Sequence, residues 1–440
     1  MNYSQAEEYL NNFTNYEQIP GVSYAQPGYS LRHVEELLNR MGNPQVAART
    51  IHIAGTKGKG SVAAMTAQVL SSSGYTTGRY TSPHLHDLRE RITIDGSMIS
   101  EADFAAAMAE VKPFIESMKQ DRSFRQFTYF EALTALAFTY FRQERADFQV
   151  LEVGLGGRLD ATNVVAKPAV SIITSISLDH TQILGNTLEQ IAREKAGIVK
   201  SGCWVVISPQ PEEAASAISD ICREKQAKVV QVGKDVTWHR TGGDLRQQWL
   251  VIKGRTGEYQ VSIPLLGDFQ LENACTAVGA LEVLASEGSA ISATDIAQGL
   301  AKVKWPGRFQ ILQEHPIVLI DGAHNVASMK RLVNNVKAYF PRKKILLVFG
   351  TSCDKDIPGI INELVSLSPQ VIVTQASHSR AAPFSTLTAE FAKHGAATET
   401  KGTVPEAISR ALSLADKTNV ICVAGSLFVV AEALGYFSGG

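Results

Sequence analysis

The sequence predicts an α/β protein of two doubly wound domains, and three observations carry that prediction. The stretch Ile51-His52-Ile53-Ala54-Gly55-Thr56-Lys57-Gly58-Lys59-Gly60-Ser61-Val62 runs from a short apolar strand through a glycine-rich turn into a helix. Strand and helix patterns then alternate along most of the chain, which implies a mainly parallel sheet with helices on its faces. At Lys304-Trp305-Pro306-Gly307-Arg308 a Pro-Gly pair interrupts the periodicity, and a second, cleaner alternation begins beyond it.

The first of these elements has the chemistry of a phosphate-binding loop. Glycines let the backbone curl so that successive N–H groups point at phosphate oxygens, and the helix that follows turns its positive end to the same anion. Lys59 would hold the β- and γ-phosphates and Ser61 would help to ligate Mg²⁺. The usual pattern has Ser or Thr directly after the Lys, whereas here Gly60 intervenes, so a plain glycine-rich turn stays open on this stretch alone. The expected organisation is a phosphate-loop ATPase-type domain over 1–303, a linker over 304–308 and a Rossmann-like α/β domain over 309–440.

Composition limits the partners. The chain has 440 residues, 45% of them hydrophobic and 19% charged, which is ordinary globular usage and enough for two or three domains. Lys and Arg number 42 against 43 Asp and Glu, so no global field favours nucleic acid or an anionic membrane. The five cysteines, Cys203, Cys222, Cys275, Cys353 and Cys422, have no CxxC spacing and read as reduced thiols rather than a zinc site or disulfide framework. The start, Met1-Asn2-Tyr3-Ser4-Gln5, has neither the basic nor the apolar region of a secretory signal, and cytoplasmic location is expected. The apolar run over 420–437 is broken by Gly425, Ser426, Glu432 and Gly435 and reads as a buried strand followed by a helix. A monomer without nucleic-acid or membrane partners is the expectation.

Along the chain, one helix is expected ahead of the loop, over 30–41, with Leu31, Val34, Leu37 and Leu38 on one face. A second strand ends in Tyr80-Thr81-Ser82-Pro83, where Ser82 is either a second hydroxyl ligand or a turn residue before proline. Helices follow over 100–118 and 128–143, the latter opening on the aromatic cluster Phe127-Thr128-Tyr129-Phe130-Glu131, a composition more typical of core than of a ligand platform. The strand Phe148-Gln149-Val150-Leu151-Glu152 ends in a carboxylate, which is costly to bury without a cation or donors; beside a nucleotide Glu152 is therefore a metal-ligand candidate. An apolar strand over 169–176 delivers Ser177-Leu178-Asp179-His180, with His180 either a ligand at a strand end or a capped core histidine. In the helix over 188–198, Lys195 reads by physics alone as a surface lysine. Alternation over 236–264 suggests an antiparallel excursion, and Asn273 near the start of the next helix could meet a purine edge or simply stabilise the helix entry. In the second domain the strand ends carry Asp321-Gly322-Ala323-His324-Asn325, Asp354-Lys355-Asp356, His378-Ser379-Arg380 and Gly425-Ser426.

Taken in order, the segments 55–61, Thr81-Ser82-Pro83-His84-Leu85, 152–163, Leu178-Asp179-His180, 193–197, Pro306-Gly307-Arg308 and 321–325 make nearly the whole chain resemble the folylpolyglutamate and dihydrofolate synthases, within the Mur ligase superfamily of ATP-dependent amide-forming ligases. One departure is Lys57, where the family commonly has Asn; it adds a charge near the phosphates. The resemblance implies that Lys57, Gly58, Lys59, Gly60 and Ser61 cradle ATP, and that Asn273, Arg308 and Asp321 hold it from the helix, the linker and the C-terminal domain. It implies Mg²⁺ on Ser82, Glu152 and His180. Tyr29, Ser30 and Leu31, Thr128, Tyr129, Phe130 and Glu131, and Leu159, Asp160 and Ala161 would form the pterin-side pocket. His324 and Ser426 would place the incoming glutamate. Lys195 matches a lysine that is carbamylated in the superfamily, which replaces the surface reading and makes it a metal-site residue; Lys59, Glu152, His180 and Lys195 are the expected catalytic set.

The implied reaction adds L-glutamate to the carboxylate of a folate, and of dihydropteroate in a bifunctional enzyme, with ATP supplying the driving force. A carboxylate is too poor an electrophile for an amine, so its oxygen first takes the γ-phosphoryl group to give an acyl phosphate. Positioning and charge stabilisation carry most of that step. Two alternatives compete with it. A cell-wall Mur ligase usually carries a further domain ahead of the loop, for which the fifty residues here leave no room. A non-catalytic ATP-dependent switch would not need the pairing of Glu152 with His180.

Overall fold

Strands form where apolar residues run without interruption, because a strand covered by helices on both faces has no polar side to show. The computed structural model describes residues 1–16, 30–121, 124–367 and 369–438; the expected pocket residue Tyr29 lies outside them. The chain divides into two compact units, the first made of 1–242, 249–264 and 269–303, the second of 243–248, 265–268 and 304–440.

In the first unit the strands are β1 (Arg49–Ala54), β2 (Thr77–Tyr80), β3 (Ile92–Ile94), β4 (Ser97–Met98), β5 (Phe148–Glu152), β6 (Val170–Ile173), β7 (Trp204–Ile207) and β8 (Lys228–Gln231). They form one sheet in the order β4-β3-β2-β5-β1-β6-β7-β8, in which only the β2/β3 and β3/β4 pairs are antiparallel. Six parallel neighbours therefore discharge their C-terminal ends along one edge, the place where open α/β sheets bind ligands. Register brings Ile53 opposite Glu152 and Ala54 opposite Ile173, so the exits of β5 and β6 flank the loop after β1. One core packs the helices Arg32–Arg40, Glu101–Lys119 and Tyr129–Gln143, with Phe104, Phe127, Phe138 and Phe141 fully or nearly fully buried. The expected antiparallel excursion is a separate three-stranded sheet of β9 (Thr237–Gly243), β10 (Gln248–Lys253) and β11 (Glu258–Ile263).

The second unit holds β12 (Gln310–Glu314), β13 (Ile317–Asp321), β14 (Lys344–Phe349), β15 (Gln370–Val373), β16 (Thr398–Thr400) and β17 (Asn419–Ala424), ordered β12-β13-β17-β14-β15-β16 and parallel except at the β12 edge. Val318, Ile320, Val348, Ile372, Ile421 and Val423 form its core with the helix that follows β17.

Three expectations on local structure need correction. A helix over Tyr3–Asn11 precedes the one expected ahead of the loop; it buries only Ala6 and Leu10, too few apolar positions to show a period, and it is set by an Asn2/Gln5 capping box. The strand expected over 169–176 stops at Ile173, because the Ser175 carbonyl leaves the ladder to accept the amides of Thr56 and Lys57. Lys195 is not on the surface: it is 4% exposed. No helix among the described residues is long and apolar enough to cross a membrane.

Candidate active site

The loop after β1 is laced to the exit of β6. Thr56 and Lys57 donate their amides to Ser175 O, and the Thr56 hydroxyl donates to Ser177 O at 3.2 Å while accepting the Ser177 amide. Gly55 has φ +147, and a Cβ there would stand 1.8 Å from Thr174 Oγ1; Gly58 has φ +93, and a Cβ would stand 2.4 Å from Asn273 Oδ1. Both positions demand glycine, for backbone conformation and for space. The helix Lys59–Ser72 starts without a side-chain cap, and its first backbone bond runs from Val62 N to Gly58 O. The Lys59, Gly60 and Ser61 amides thus form the unsatisfied N-terminal turn that suits an anion. Asn273, expected to contact ATP, lies against this cradle, with its amide nitrogen held by Gln270 at 2.9 Å.

Around the cradle, the neighbouring strand ends supply charge. Glu152, buried at the end of β5, has Oε1 3.9 Å from Lys59 Nζ, and its Oε2 accepts the Ser82 amide at 3.3 Å. The structure thus joins Lys59, Ser82 and Glu152, which are far apart in sequence. Arg79 on β2 was not anticipated: burial pulls its pKa down to about 10 while the Glu152 carboxylate opposes that shift. His180 stands beyond β6 at φ +50, half exposed, its Nε2 4.0 Å from Asp179 Oδ1. Lys57 donates to the other Asp179 oxygen at 3.0 Å, so the charge that distinguishes this loop is matched by a carboxylate at the exit of the adjacent strand β6. Asp179, quoted only as the neighbour of His180, is therefore a part of the site that sequence reading missed.

Lys195 ends the helix Leu188–Lys195 and points its amine at Gly55 O, 2.8 Å away, beneath the loop. Burial, then the charges of Lys59 and Lys57, lower its pKa to about 7, with Asp179 and Asp160 opposing. The glycine-rich segment after β5 passes over the end of this helix: Arg158 N donates to Glu194 O, and a Cβ on Gly157 would stand 2.7 Å from Lys195 O. Leu159 is half-buried, while Asp160 and Ala161 are buried, with Asp160 turned onto its own loop.

The other expected pocket segments adjoin this loop. A Cβ on Gly154 would lie 2.7 Å from the Phe130 ring, which stacks on Tyr80 at 5.6 Å. Thr128 and Glu131 cap the helix Tyr129–Gln143 reciprocally, and Tyr129 and Phe130 are buried in the core. Arg125, which sequence reading missed, grips the Glu131 carboxylate with both terminal nitrogens and donates its amide to His33 Nε2 at 2.8 Å. His33 is the second residue of the helix Arg32–Arg40 that follows Ser30 and Leu31, so these residues link two of the expected pocket segments.

In the second unit, β13 and β17 are adjacent and parallel, with Asp321 opposite Ala424. Their exits place His324 and Ser426 on neighbouring turns, joined by a bond from Gly425 N to Ala323 O. His324 Nδ1 lies 2.8 Å from Gly322 O, and Ser426 Oγ accepts the Val429 amide at the start of the helix Leu427–Ser438. Asp321 accepts the amides of Phe309 and Ala323, and Gly322 N donates to Gly307 O, so the linker is tied to the end of β13; Arg308 Nη1 also donates to Gly307 O.

A phosphate cradle on a parallel sheet edge, flanked by a buried carboxylate and a buried lysine and followed by a second parallel α/β unit, defines an ATP-dependent carboxylate–amine ligase of the Mur superfamily. Residues 53–281 match the Mur ligase middle domain and residues 307–427 the Mur ligase glutamate ligase domain. Bacillus subtilis dihydrofolate synthase/folylpolyglutamate synthase is 35% identical over 370 residues, 83% of this chain and 83% of that protein. A probable bifunctional folylpolyglutamate synthase/dihydropteroate synthase of Halobacterium salinarum is 35% identical over 98% of this chain, which spans about half, 51%, of that longer protein. An Escherichia coli enzyme solved in complex with DHPP and ADP superposes with a TM-score of 0.86 at 32% identity, covering 100% of this chain and 98% of that one. The chain belongs to the folylpolyglutamate synthase/dihydrofolate synthase family.

Proposed function

We propose that this chain adds L-glutamate to the carboxylate of a folate or of dihydropteroate, with ATP as phosphoryl donor and an acyl phosphate as intermediate, and that its two units divide the work. The observation that carries the reading is the meeting of Lys59, Glu152 and the Ser82 turn at the rim of a glycine cradle that no side chain could share. Lys59 and the amides of its helix turn bind the β- and γ-phosphates and stabilise charge as the acceptor carboxylate takes the phosphoryl group. The segments 30–31, 128–131 and 159–161 line the pterin side, with Arg125 and Glu131 fixing the second of them. Asn273, whose side chain lies against Gly58, binds a further part of the nucleotide.

The Glu152 carboxylate, tied to the Ser82 turn, is an oxygen donor that suits a hard divalent cation, and the Ser82 hydroxyl would add a second. Ser82, Glu152 and His180 are the residues that would hold Mg²⁺, which when bound compensates phosphate charge. Lys195 is read as carbamylated: a neutral amine adds CO₂ with release of one proton, and the product is an anion able to join that set. Its burial against Gly55 O supports this, because an ammonium is costly there.

His324 and Ser426, on neighbouring turns of the second unit, position the amino acid. His324→Ala and Ser426→Ala should each raise the glutamate KM about tenfold or slow amide formation to match, with acyl-phosphate formation nearly intact, a loss confined to one substrate's binding. Equal loss of both partial reactions, measured by positional isotope exchange and product formation, would refute that division.

The reading as a whole is tested by ADP release. Turnover should require L-glutamate together with tetrahydrofolate or dihydropteroate, assayed in parallel. ATP consumption indifferent to both would make the protein a nucleotide switch instead.

A further inference from the structure

Beneath the site, a buried polar chain crosses from β1 to the loop that follows Glu152. The His52 ring is fully buried on β1, three residues before Gly55 of the glycine-rich loop, with Nε2 2.8 Å from Thr162 Oγ1. The Thr162 hydroxyl in turn lies 2.6 Å from Asp160 Oδ1, which also accepts the Thr162 amide. The second carboxylate oxygen accepts the amides of Gly154 and Leu155, each at 3.0 Å. The directions are forced. An ionised Asp160 has only acceptors, so Thr162 must donate to it, and His52 must then donate from Nε2 to Thr162. Burial holds the His52 imidazole neutral, with a pKa near 3. Burial also pushes the Asp160 carboxyl up, against the four donors that favour its anion.

The position of this chain gives it a consequence. Gly154 and Leu155 are the second and third residues after Glu152, and Val153 N is bonded to Ile53 O on β1. Four residues further on, Arg158 N holds Glu194 O, next to Lys195, and Asn163 bonds Arg158 O and Gly197 O on the same helix end. One small loop therefore spans the space between the proposed metal carboxylate and the buried lysine, and Asp160 is its central anchor. A buried carboxylate is costly, and its use here to hold four donors of its own loop indicates a demand for fixed geometry.

We propose that His52, Thr162 and Asp160 form a positioning relay that fixes the loop over 154–158 and, through it, the orientation of Glu152 and Lys195 toward the divalent cation. Asp160 acts in this through its carboxylate, whichever substrate its backbone segment meets. The inference rests on Glu152 being a metal ligand, and its test separates the two ideas.

Wild type and variants are titrated with Mn²⁺ in the presence of AMPPCP, and bound metal is read by electron paramagnetic resonance. Thr162→Val keeps the shape and removes the hydroxyl; its Mn²⁺ Kd should rise roughly tenfold, the lower end for loss of an outer-shell partner, and Thr162→Ser should restore it. The glutamate KM should stay unchanged in both, because the relay lies away from the glutamate residues, and a melting curve on each variant separates a general loss of stability from a change in Mn²⁺ Kd. If Thr162→Val does not fold, His52→Leu removes the upstream donor while His52→Gln retains an amide N–H where Nε2 stands, and the same contrast is expected between them. A folded Thr162→Val or His52→Leu with wild-type Mn²⁺ affinity overturns the relay. Glu152→Gln serves as the reference: if it loses Mn²⁺ affinity while those variants do not, the relay alone has failed; if it binds Mn²⁺ as wild type does, the metal-ligand assignment itself has failed.

Discussion

Glu152→Gln should abolish turnover and leave the fold in place. Glutamine is isosteric, and its amide oxygen can still accept the Ser82 amide, so the turn after β2 keeps its tie to β5. What disappears is the negative charge, now 3.9 Å from Lys59 and adjacent to the phosphate cradle. A neutral amide is a weak ligand for a hard cation, and the site would then hold less firmly the cation that compensates the triphosphate charge. Loss of about 4 kcal/mol of transition-state stabilisation corresponds to roughly a thousandfold in rate. The check is a steady-state ADP-release assay across a wide Mg²⁺ range, together with a melting curve. Wild-type rates at ordinary Mg²⁺ would remove Glu152 from the metal site.

Lys195→Ala is expected to be nearly as damaging, for a different reason. Its amine lies under Gly55 with 4% of the residue exposed, where burial and the charges of Lys59 and Lys57 both disfavour an ammonium. Carbamylation exchanges that repulsion for an anion with two oxygens. The alanine variant should lose activity by about two orders of magnitude or more, the scale for deleting a preorganised charged group. Acetate or formate, entering the vacated space, should recover part of it, and crystals grown near neutral pH should show three extra atoms beyond Nζ in the parent protein. A fully active alanine variant, with bare amine density in the parent, would return Lys195 to a structural role.

Much of the architecture was legible because the signals are local. The run Ile51-His52-Ile53-Ala54 followed by glycines specifies a strand, a turn and a helix from its own residues, and the Rossmann-like alternation beyond Pro306 and Gly307 is read in the same way. The helix over Tyr3–Asn11 escaped because two buried residues in nine make no period, and β12 and β16 escaped as short edge strands with half-buried faces. Candidate ligands such as Glu152 were legible too, since a carboxylate closing an apolar strand is anomalous in any fold.

By itself, then, the amino-acid order determined the two α/β halves, the strand–glycine-rich turn–helix unit at its start, the family and which acidic and basic residues were candidates. Tertiary structure alone decided which of them meet. Lys195 looked like a surface residue because its helix neighbours Glu194 and Arg193 are polar, and burial became visible only when the loop over 154–158 was seen lying across the helix end. Lys57 and Asp179, 122 positions apart, form their ion pair because β1 and β6 are adjacent in the sheet. Likewise, His52, Thr162 and Asp160 read separately as a strand residue, a turn residue and a pocket residue. They became one network because parallel strands pair by register, and register is set by side-chain packing across the whole sheet rather than by any one segment.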